Sequence, residues 1–294
     1  MSFVIQAALL GVVQGLTEFL PVSSSAHLIL ARAIFGFDGD KFGLSFDVAC
    51  HLGTLVAVLV YFRREIGLMI ASIPRLFGPP EAAPRGAKAI GFRPSSVVGH
   101  GPKNTSDGAR LIWLLVVGTI PATVVGALFK RVIEDHLRTP AVAVTMLAAG
   151  AMLLFVAERV GSQDRGEDSL TLVDAFWIGC AQAVALVPGV SRSGATMTMA
   201  LLLGLLRPEA ARFIFLLGIP AILGAAVSEA PKALRAGMDG DIATLFVIGI
   251  ITSAIVGYIA VKSFIRYMAN HSLDVFAWYR LALAGVAGVW LWKS

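Results

Sequence analysis

Apolar residues occur along this chain in runs of about 20, the length needed to cross the hydrocarbon core of a bilayer. Six runs are predicted as transmembrane helices, at residues 43–62, 110–129, 140–157, 209–228, 243–263 and 273–292. Two further apolar stretches, 3–35 and 171–205, are interrupted by proline, glycine and serine. Because each piece is too short to cross a bilayer, we expect each stretch to form a re-entrant helical hairpin.

The two interrupted stretches are similar in sequence. GVVQGLTEFLPVSSSAH (11–27) aligns without gaps with GCAQAVALVPGVSRSGA (179–195), and the identical pairs are Gly11/Gly179, Gln14/Gln182, Val22/Val190, Ser23/Ser191 and Ser25/Ser193. A weaker match joins GTIPATVVG (118–126) to GIITSAIVG (249–257), each in the second span that follows its hairpin. The same order of elements therefore occurs twice.

These matches divide a single membrane domain, 1–294, into halves at 1–158 and 159–294. Each half is predicted to contain a hairpin followed by three spans. Three spans are an odd number, so the second half must be inverted relative to the first. Inverted repeats whose broken helices meet near the membrane midplane are typical of transporters.

The first interrupted stretch concentrates polar groups in an apolar setting, where ionisable side chains usually mark a functional cavity. Pro21 ends one helix near Leu20, and Ser23 or Ser24 is predicted as the N-cap of the next. The new N-terminus presents free N–H groups and a positive dipole, which suit a phosphate. Where the first copy has Ser24, the second has Arg192, so we expect both copies to contribute to one site.

Composition agrees with an all-α integral membrane protein. Hydrophobic residues make up 57% of the chain, charged residues 15%, and the mean hydropathy is +0.79, unlike a soluble domain. The net charge of +5 does not indicate nucleic acid, because the basic residues lie mostly in loops. Cys50 and Cys180 lie in apolar segments and are predicted as core residues. A polar loop is predicted at about 63–109.

The distribution of basic residues predicts the orientation, because cytoplasmic loops carry an excess of Lys and Arg. With the loop at 63–110 in the cytoplasm, fourteen basic residues lie on that side and seven on the other. Both termini are then outside. The first hairpin enters the membrane from the outer side.

Two motifs, QGLTEFLPVSSSAH (14–27) and PGVSRSGAT (188–196), resemble the signature motifs of the undecaprenyl-diphosphatase, or bacitracin-resistance, family. Similar intervening segments extend the resemblance over nearly the whole chain: FDVACHLGTLVAV (46–58), GTIPA (118–122), FIFLLGIPAILG (213–224) and WYR (278–280). Two positions depart from the family pattern. Gln14 replaces a glutamate found in many members, which weakens any mechanism that needs two carboxylates there, and Ala26 replaces the usual glycine.

The resemblance implies hydrolysis of undecaprenyl diphosphate to undecaprenyl phosphate and inorganic phosphate. That reaction recycles the lipid carrier for peptidoglycan synthesis and confers bacitracin resistance. The resemblance also implies a divalent cation, Mg²⁺ or Ca²⁺, and an active site that faces the periplasmic side of the bacterial inner membrane. The expected partners are the polyprenyl diphosphate and membrane lipids, with a homo-oligomer left open.

Glu18 and Arg192 are the foremost candidate catalytic residues. Glu18 shares a helical face with Gln14, a candidate substrate-binding residue, and is expected to hold the metal or act as general base. A structural, helix-capping carboxylate is the alternative. Arg192 suits bidentate contact with phosphate, or else an ion pair with Glu18 that only joins the halves.

Ser24 is the candidate nucleophile by resemblance. A metal-bound water could attack instead, and Ser24 could serve only as a helix N-cap. The other hydroxyls are expected to bind phosphate or to cap helices: Ser23, Ser25, Ser191, Ser193 and Thr196. His27 either protonates the leaving lipid phosphate or has a structural role. Asp47 and His51 are predicted to form a buried polar pair, and Arg280 to be a snorkelling or interhelical residue.

A second class of function remains open at this point. Inverted repeats with broken helices also suit a transporter or flippase for an anionic polyprenyl lipid, which would use the same site. Phosphate release by the purified protein discriminates the two.

Overall fold

The computed structural model describes residues 2–37, 41–77, 105–235 and 240–293. Those ranges contain eleven α-helices: α1 (Phe3–Thr17), α2 (Ser24–Phe35), α3 (Leu44–Tyr61), α4 (Arg63–Ser72), α5 (Thr105–Val132), α6 (Pro140–Val160), α7 (Leu172–Val184), α8 (Arg192–Leu202), α9 (Arg207–Arg235), α10 (Gly240–Met268) and α11 (Asp274–Lys293). An all-helical fold is therefore confirmed.

Six helices in the described ranges are long and apolar enough to cross a membrane: α3, α5, α6, α9, α10 and α11. They coincide with the six predicted spans to within a few residues at most ends. Several present an apolar stripe to the outside of the protein. On α10, Val247, Ile251, Ile255 and Ile259 are each more than half exposed and recur every four residues. Such a stripe is the surface that a membrane helix presents to lipid.

The predicted loop at 63–109 was wrong at both of its ends. Residues Arg63–Ser72 form α4, a 3₁₀ turn continues through Ile73–Phe77, and α5 already begins at Thr105. α4 is amphipathic: Ile66 and Met69 pack against the core, while Arg63 and Arg64 are exposed. The sequence analysis did not predict this short helix because the segment begins with three charged residues. Residues 78–104 of the predicted loop lie outside the described residues.

Each interrupted stretch forms two helices, as predicted. The first break covers residues 18–23 and the second residues 185–191. The four helices have 15, 12, 13 and 11 residues, and at 1.5 Å per residue none is longer than about 23 Å. Re-entry of both stretches and inversion of the halves stay predictions.

The first helix of each broken pair packs against a helix of the opposite half. α1 lies along α10, and α7 lies along α5. Glycines from the two sequence matches meet at these crossings, because Gly11 faces Gly249 and Gly179 faces Gly118. Small residues let membrane helices approach backbone to backbone, which compensates for the missing hydrophobic driving force in lipid.

This close approach makes a stability prediction. A Cβ on Gly179 would overlap the carbonyl oxygen of Gly118, whereas a Cβ on Gly285 of α11 would meet open space. We expect Gly179→Ala to lower the free energy of unfolding by about 1–3 kcal/mol, because the backbone must move apart. Gly285→Ala should be neutral or slightly stabilising. Thermal unfolding in one detergent checks both variants, and equal melting temperatures would contradict the proposed contact.

Candidate active site

The two breaks end in matching, strained N-caps. Ser23 and Ser191 have φ of 71° and 73°, a region that residues other than glycine rarely adopt. Their hydroxyls accept hydrogen bonds from Ala26 N at 3.4 Å and Gly194 N at 3.1 Å. The caps confirm Ser23, not Ser24, as the N-cap of α2. Backbone strain of this kind persists where the surroundings enforce it, commonly at functional sites.

The first residues of α2 and α8 converge on Glu18. Ser24 Oγ donates to Glu18 Oε2 at 2.7 Å, and Arg192 Nη2 donates to Glu18 Oε1 at 2.9 Å. Gln14 Nε2 also donates to Glu18 Oε2, at 2.8 Å. Only 5% of the Glu18 residue is exposed. The structure thus brings Glu18, Ser24, Arg192 and Gln14 together in one site, built from both halves of the chain.

His51 is a member of this site that the sequence reasoning missed. Its Nε2 lies 3.3 Å from Glu18 Oε2, and its Nδ1 lies 2.7 Å from the Asp47 carbonyl oxygen. Both ring nitrogens therefore face acceptors, which the imidazolium form satisfies. The predicted polar pair of Asp47 and His51 forms only through the Asp47 carbonyl oxygen and not through its carboxylate. His51 turns toward Glu18, and the Asp47 carboxylate binds arginines instead.

Arg192 is held in position by the backbone as well as by Glu18. Its Nη1 donates to the Gly218 carbonyl oxygen of α9 at 2.9 Å. A Cβ at Gly218 would overlap this guanidinium, so glycine there makes room for it. About a fifth of the Arg192 side chain remains exposed. An arginine fixed at one nitrogen and accessible at its edge can exchange its carboxylate partner for a phosphate.

The remaining hydroxyl candidates mainly hold the breaks together. Ser193 Oγ donates to the Leu20 carbonyl oxygen at 2.9 Å, and Ser25 Oγ accepts from Gly189 N at 3.4 Å. Each broken helix pair therefore binds the break of the other. Thr196 Oγ1 donates to the Arg192 carbonyl oxygen at 2.7 Å. Contact of these residues with phosphate stays a prediction.

His27 lies one turn into α2 and has a partner at each ring nitrogen. Nδ1 lies 2.7 Å from the Ser23 carbonyl oxygen and Nε2 lies 2.8 Å from Tyr279 Oη. The carbonyl contact requires a proton on Nδ1. These contacts stabilise the break and tie it to α11, which supports the structural alternative for His27.

Arg280 takes the interhelical of the two roles predicted for it, although its partners were not anticipated. It is fully buried, and it neither snorkels nor faces lipid. Its guanidinium contacts carbonyl oxygens in both breaks and in α6, at 3.0–3.3 Å, namely those of Pro21, Met146, Leu147, Gly189 and Val190. An arginine within an apolar span was the available signal, but its partners could not be read from sequence.

The arrangement can be compared with known proteins. A family model described as Bacitracin resistance protein BacA matches residues 7–286, which includes both breaks, five of the spans and most of α11. The chain belongs to the BacA family. Among curated relatives, a protein of Rubrobacter xylanophilus is 45% identical and aligned over 98% of both chains. A protein of Geobacter metallireducens is 42% identical over 98% of this chain and 97% of its own. Both relatives carry the name undecaprenyl-diphosphatase.

The residues around Glu18 can be tested against the divalent cation expected from the resemblance to the BacA family. The described ranges contain no cluster of three or more His, Cys, Asp or Glu side chains. However, Gln14 Oε1 is buried without a hydrogen-bond partner, beside the Glu18 carboxylate. Mg²⁺ in phosphoryl-transfer sites often takes one or two protein oxygens and completes its shell with substrate phosphates and water. Glu18 and Gln14 fit a cation held in this way.

The contacts of Arg280 predict a large structural effect. Arg280→Met would leave the carbonyl oxygens of both breaks without a partner in a dry interior. We expect a loss of about 3 kcal/mol or more in the free energy of unfolding. Arg159→Met removes an exposed pair with Asp274 and should cost less than about 1 kcal/mol. Thermal unfolding in detergent checks this, and a similar melting temperature for the two variants would contradict the assigned role.

Proposed function

We propose that this chain hydrolyses undecaprenyl diphosphate to undecaprenyl phosphate and inorganic phosphate. The observation that carries the proposal is the 2.7 Å hydrogen bond from Ser24 Oγ to Glu18 Oε2, with Arg192 on the other carboxylate oxygen. Phosphoryl transfer can use a hydroxyl as nucleophile, a neighbouring carboxylate as base and an arginine to bind the phosphate, and all three groups are present here. The relatives named undecaprenyl-diphosphatase indicate the substrate.

Substrate binding is expected to use both breaks. The N-termini of α2 and α8 each present backbone N–H groups and a positive dipole, which favour an anion. The terminal phosphate would contact Arg192, whose guanidinium is held by the Gly218 carbonyl oxygen while its charge offsets the charge of the transferring group. In its protonated form His51 would add a second positive charge beside Glu18.

The chemical step can be written with the residues present. Ser24 Oγ attacks the terminal phosphorus, and Glu18 accepts the hydroxyl proton. The bond from that phosphorus to the bridging oxygen breaks, and undecaprenyl phosphate leaves with the electron pair and takes the proton from Glu18. Water then attacks the phosphoserine while Glu18 accepts a proton from it, the bond from phosphorus to Ser24 Oγ breaks, and Ser24 recovers the proton as inorganic phosphate leaves. In the alternative, water attacks directly and Ser24 only orients it.

A divalent cation, when bound at Glu18 and Gln14, would neutralise part of the diphosphate charge. The protein residues bind and orient the headgroup around it. The single carboxylate in this arrangement means that the substrate itself must supply several ligands. We therefore expect Glu18→Gln to weaken cation dependence as well as proton transfer.

The rival function, a flippase for an anionic polyprenyl lipid, would use the same broken helices. A carrier needs an anion site, but it needs no hydroxyl in contact with a buried base. The Ser24–Glu18 contact therefore favours hydrolysis.

Hydrolysis is tested by phosphate release from undecaprenyl diphosphate in detergent, with Mg²⁺ and with chelator. We expect metal-dependent release, reduced by about 10²–10⁴-fold in Glu18→Gln and Ser24→Ala, because each removes a proton-transfer or nucleophilic partner. Ser162→Ala, at an exposed serine between α6 and α7, is the matched control and should retain full activity.

Substrate labelled in the terminal phosphate distinguishes the two nucleophiles. Label retained on the acid-quenched wild-type protein but not on Ser24→Ala supports a phosphoserine. Turnover of Ser24→Ala within about tenfold of wild type would instead assign the attack to water. No release from the wild type under either metal condition would overturn hydrolysis and leave the flippase.

We further propose that the chain lies in the bacterial inner membrane with the first break open to the outer side. The excess of basic residues in the segment after α3 supports this orientation. A membrane-impermeant maleimide should label Asp135→Cys from outside and Arg64→Cys only after permeabilisation, since both positions are exposed. The parent chain is the blank, because Cys50 is buried and Cys180 partly so. The reverse labelling pattern would overturn the orientation.

A further inference from the structure

A cavity with two arginines in its wall lies at the end of the fold where α2 stops and α3 starts. Its volume is about 420 Å³, and its lining includes Ile29, Arg32, Phe37, Leu44 and Arg138. Two of these residues are arginines from elements far apart in sequence. The proposed mechanism uses neither of them.

The two arginines share one carboxylate. Arg32 forms a forked pair with Asp47, with nitrogen–oxygen distances of 2.6 Å and 2.8 Å. Arg138 Nη2 donates to Asp47 Oδ2 at 2.8 Å, which is its only hydrogen bond among the described residues. Two guanidinium groups against one carboxylate leave a net positive charge at the cavity wall.

Partial burial of this cluster reduces the screening of its positive charge by salt. Asp47 is only 3% exposed, while the side chains of Arg32 and Arg138 are 14% and 24% exposed. Partly buried charges are screened less by salt than charges on an open surface. The unused N–H groups of Arg138 can donate to an anion while its Nη2 stays on Asp47.

The cavity is connected to Glu18 by two helices. On α3, Asp47 precedes His51 by one turn, and His51 contacts both the Asp47 carbonyl oxygen and Glu18. On α2, Arg32 follows Ser24 by eight residues, a rise of about 12 Å. Arg32 therefore lies on the same helix as Ser24, and both arginines bind Asp47, which is one turn from His51 on α3.

We propose that Arg32 and Arg138 form an outer phosphate subsite, which holds a phosphate group on its way to or from Glu18, Ser24 and Arg192. The inference rests on the proposed phosphatase function. Guanidinium forks match the oxygen geometry of phosphate groups and can bind them through two parallel hydrogen bonds. The phosphate has two sources, the headgroup of the incoming lipid diphosphate and the inorganic phosphate that leaves.

The test compares Arg138→Gln with Arg131→Gln, an exposed arginine in the last turn of α5. Two constants are measured in detergent: the KM for farnesyl diphosphate, a short prenyl diphosphate, and the inhibition constant of inorganic phosphate. Loss of one charged contact predicts about a tenfold change in one of them. Arg131→Gln should change neither by more than about twofold.

The two sources give different results. If the subsite holds the leaving phosphate, Arg138→Gln raises the inhibition constant of phosphate and leaves KM near the wild-type value. If it receives the incoming headgroup, KM rises instead. Arg138→Lys, which keeps the charge but loses the fork, should recover part of either effect. An Arg138→Gln variant that matches Arg131→Gln in both constants overturns the subsite.

A binding measurement separates this proposal from the proposed function. Inorganic phosphate is titrated into the purified protein, and its dissociation constant is measured by calorimetry for the wild type and for Arg138→Gln. Weaker binding in the variant, with no hydrolysis by the wild type, keeps the subsite and rejects the phosphatase. Normal hydrolysis with unchanged phosphate binding and unchanged KM rejects the subsite alone. If Arg138→Gln fails to fold, the Arg138→Lys comparison decides.

Discussion

Breaking two helices inside an apolar protein leaves backbone carbonyl oxygens without their usual partners, and the structure meets this cost with Arg280. Its buried guanidinium contacts Pro21 in the first break and Gly189 and Val190 in the second. Unsatisfied carbonyl groups in a dry interior are expensive, so the two breaks depend on the same side chain. Whatever disturbs Arg280 disturbs both halves of the site at once.

The geometry at Glu18 follows from this shared anchor. With the breaks held together, Ser24 and Arg192, which occupy the same position in their respective helices, reach opposite oxygens of one carboxylate. The two matching motifs thus have complementary roles, with a hydroxyl in one and a guanidinium in the other. A low-dielectric setting strengthens every charged contact of this group.

Much of this could be predicted from the sequence. Apolar runs fix the six spans, and Pro21 with its following serines gives the first break, because both signals are local. Glu18 and Arg192 stand out because charge is rare in such segments. His51 and Arg280 were seen as polar residues but their partners were missed, since those contacts join residues up to about 260 positions apart and depend on how the helices cross. Helix α4 was missed because the charged residues at its start resemble the beginning of a polar loop.

The crossings of α1 with α10 and of α7 with α5 have a consequence for how the protein is made. Gly11 is synthesised more than 200 residues before Gly249, against which it packs. The first broken helix pair therefore enters the membrane long before its packing surface exists. Until α10 is made, the glycine face of α1 lacks the helix against which it packs, so the first broken pair cannot reach its final arrangement.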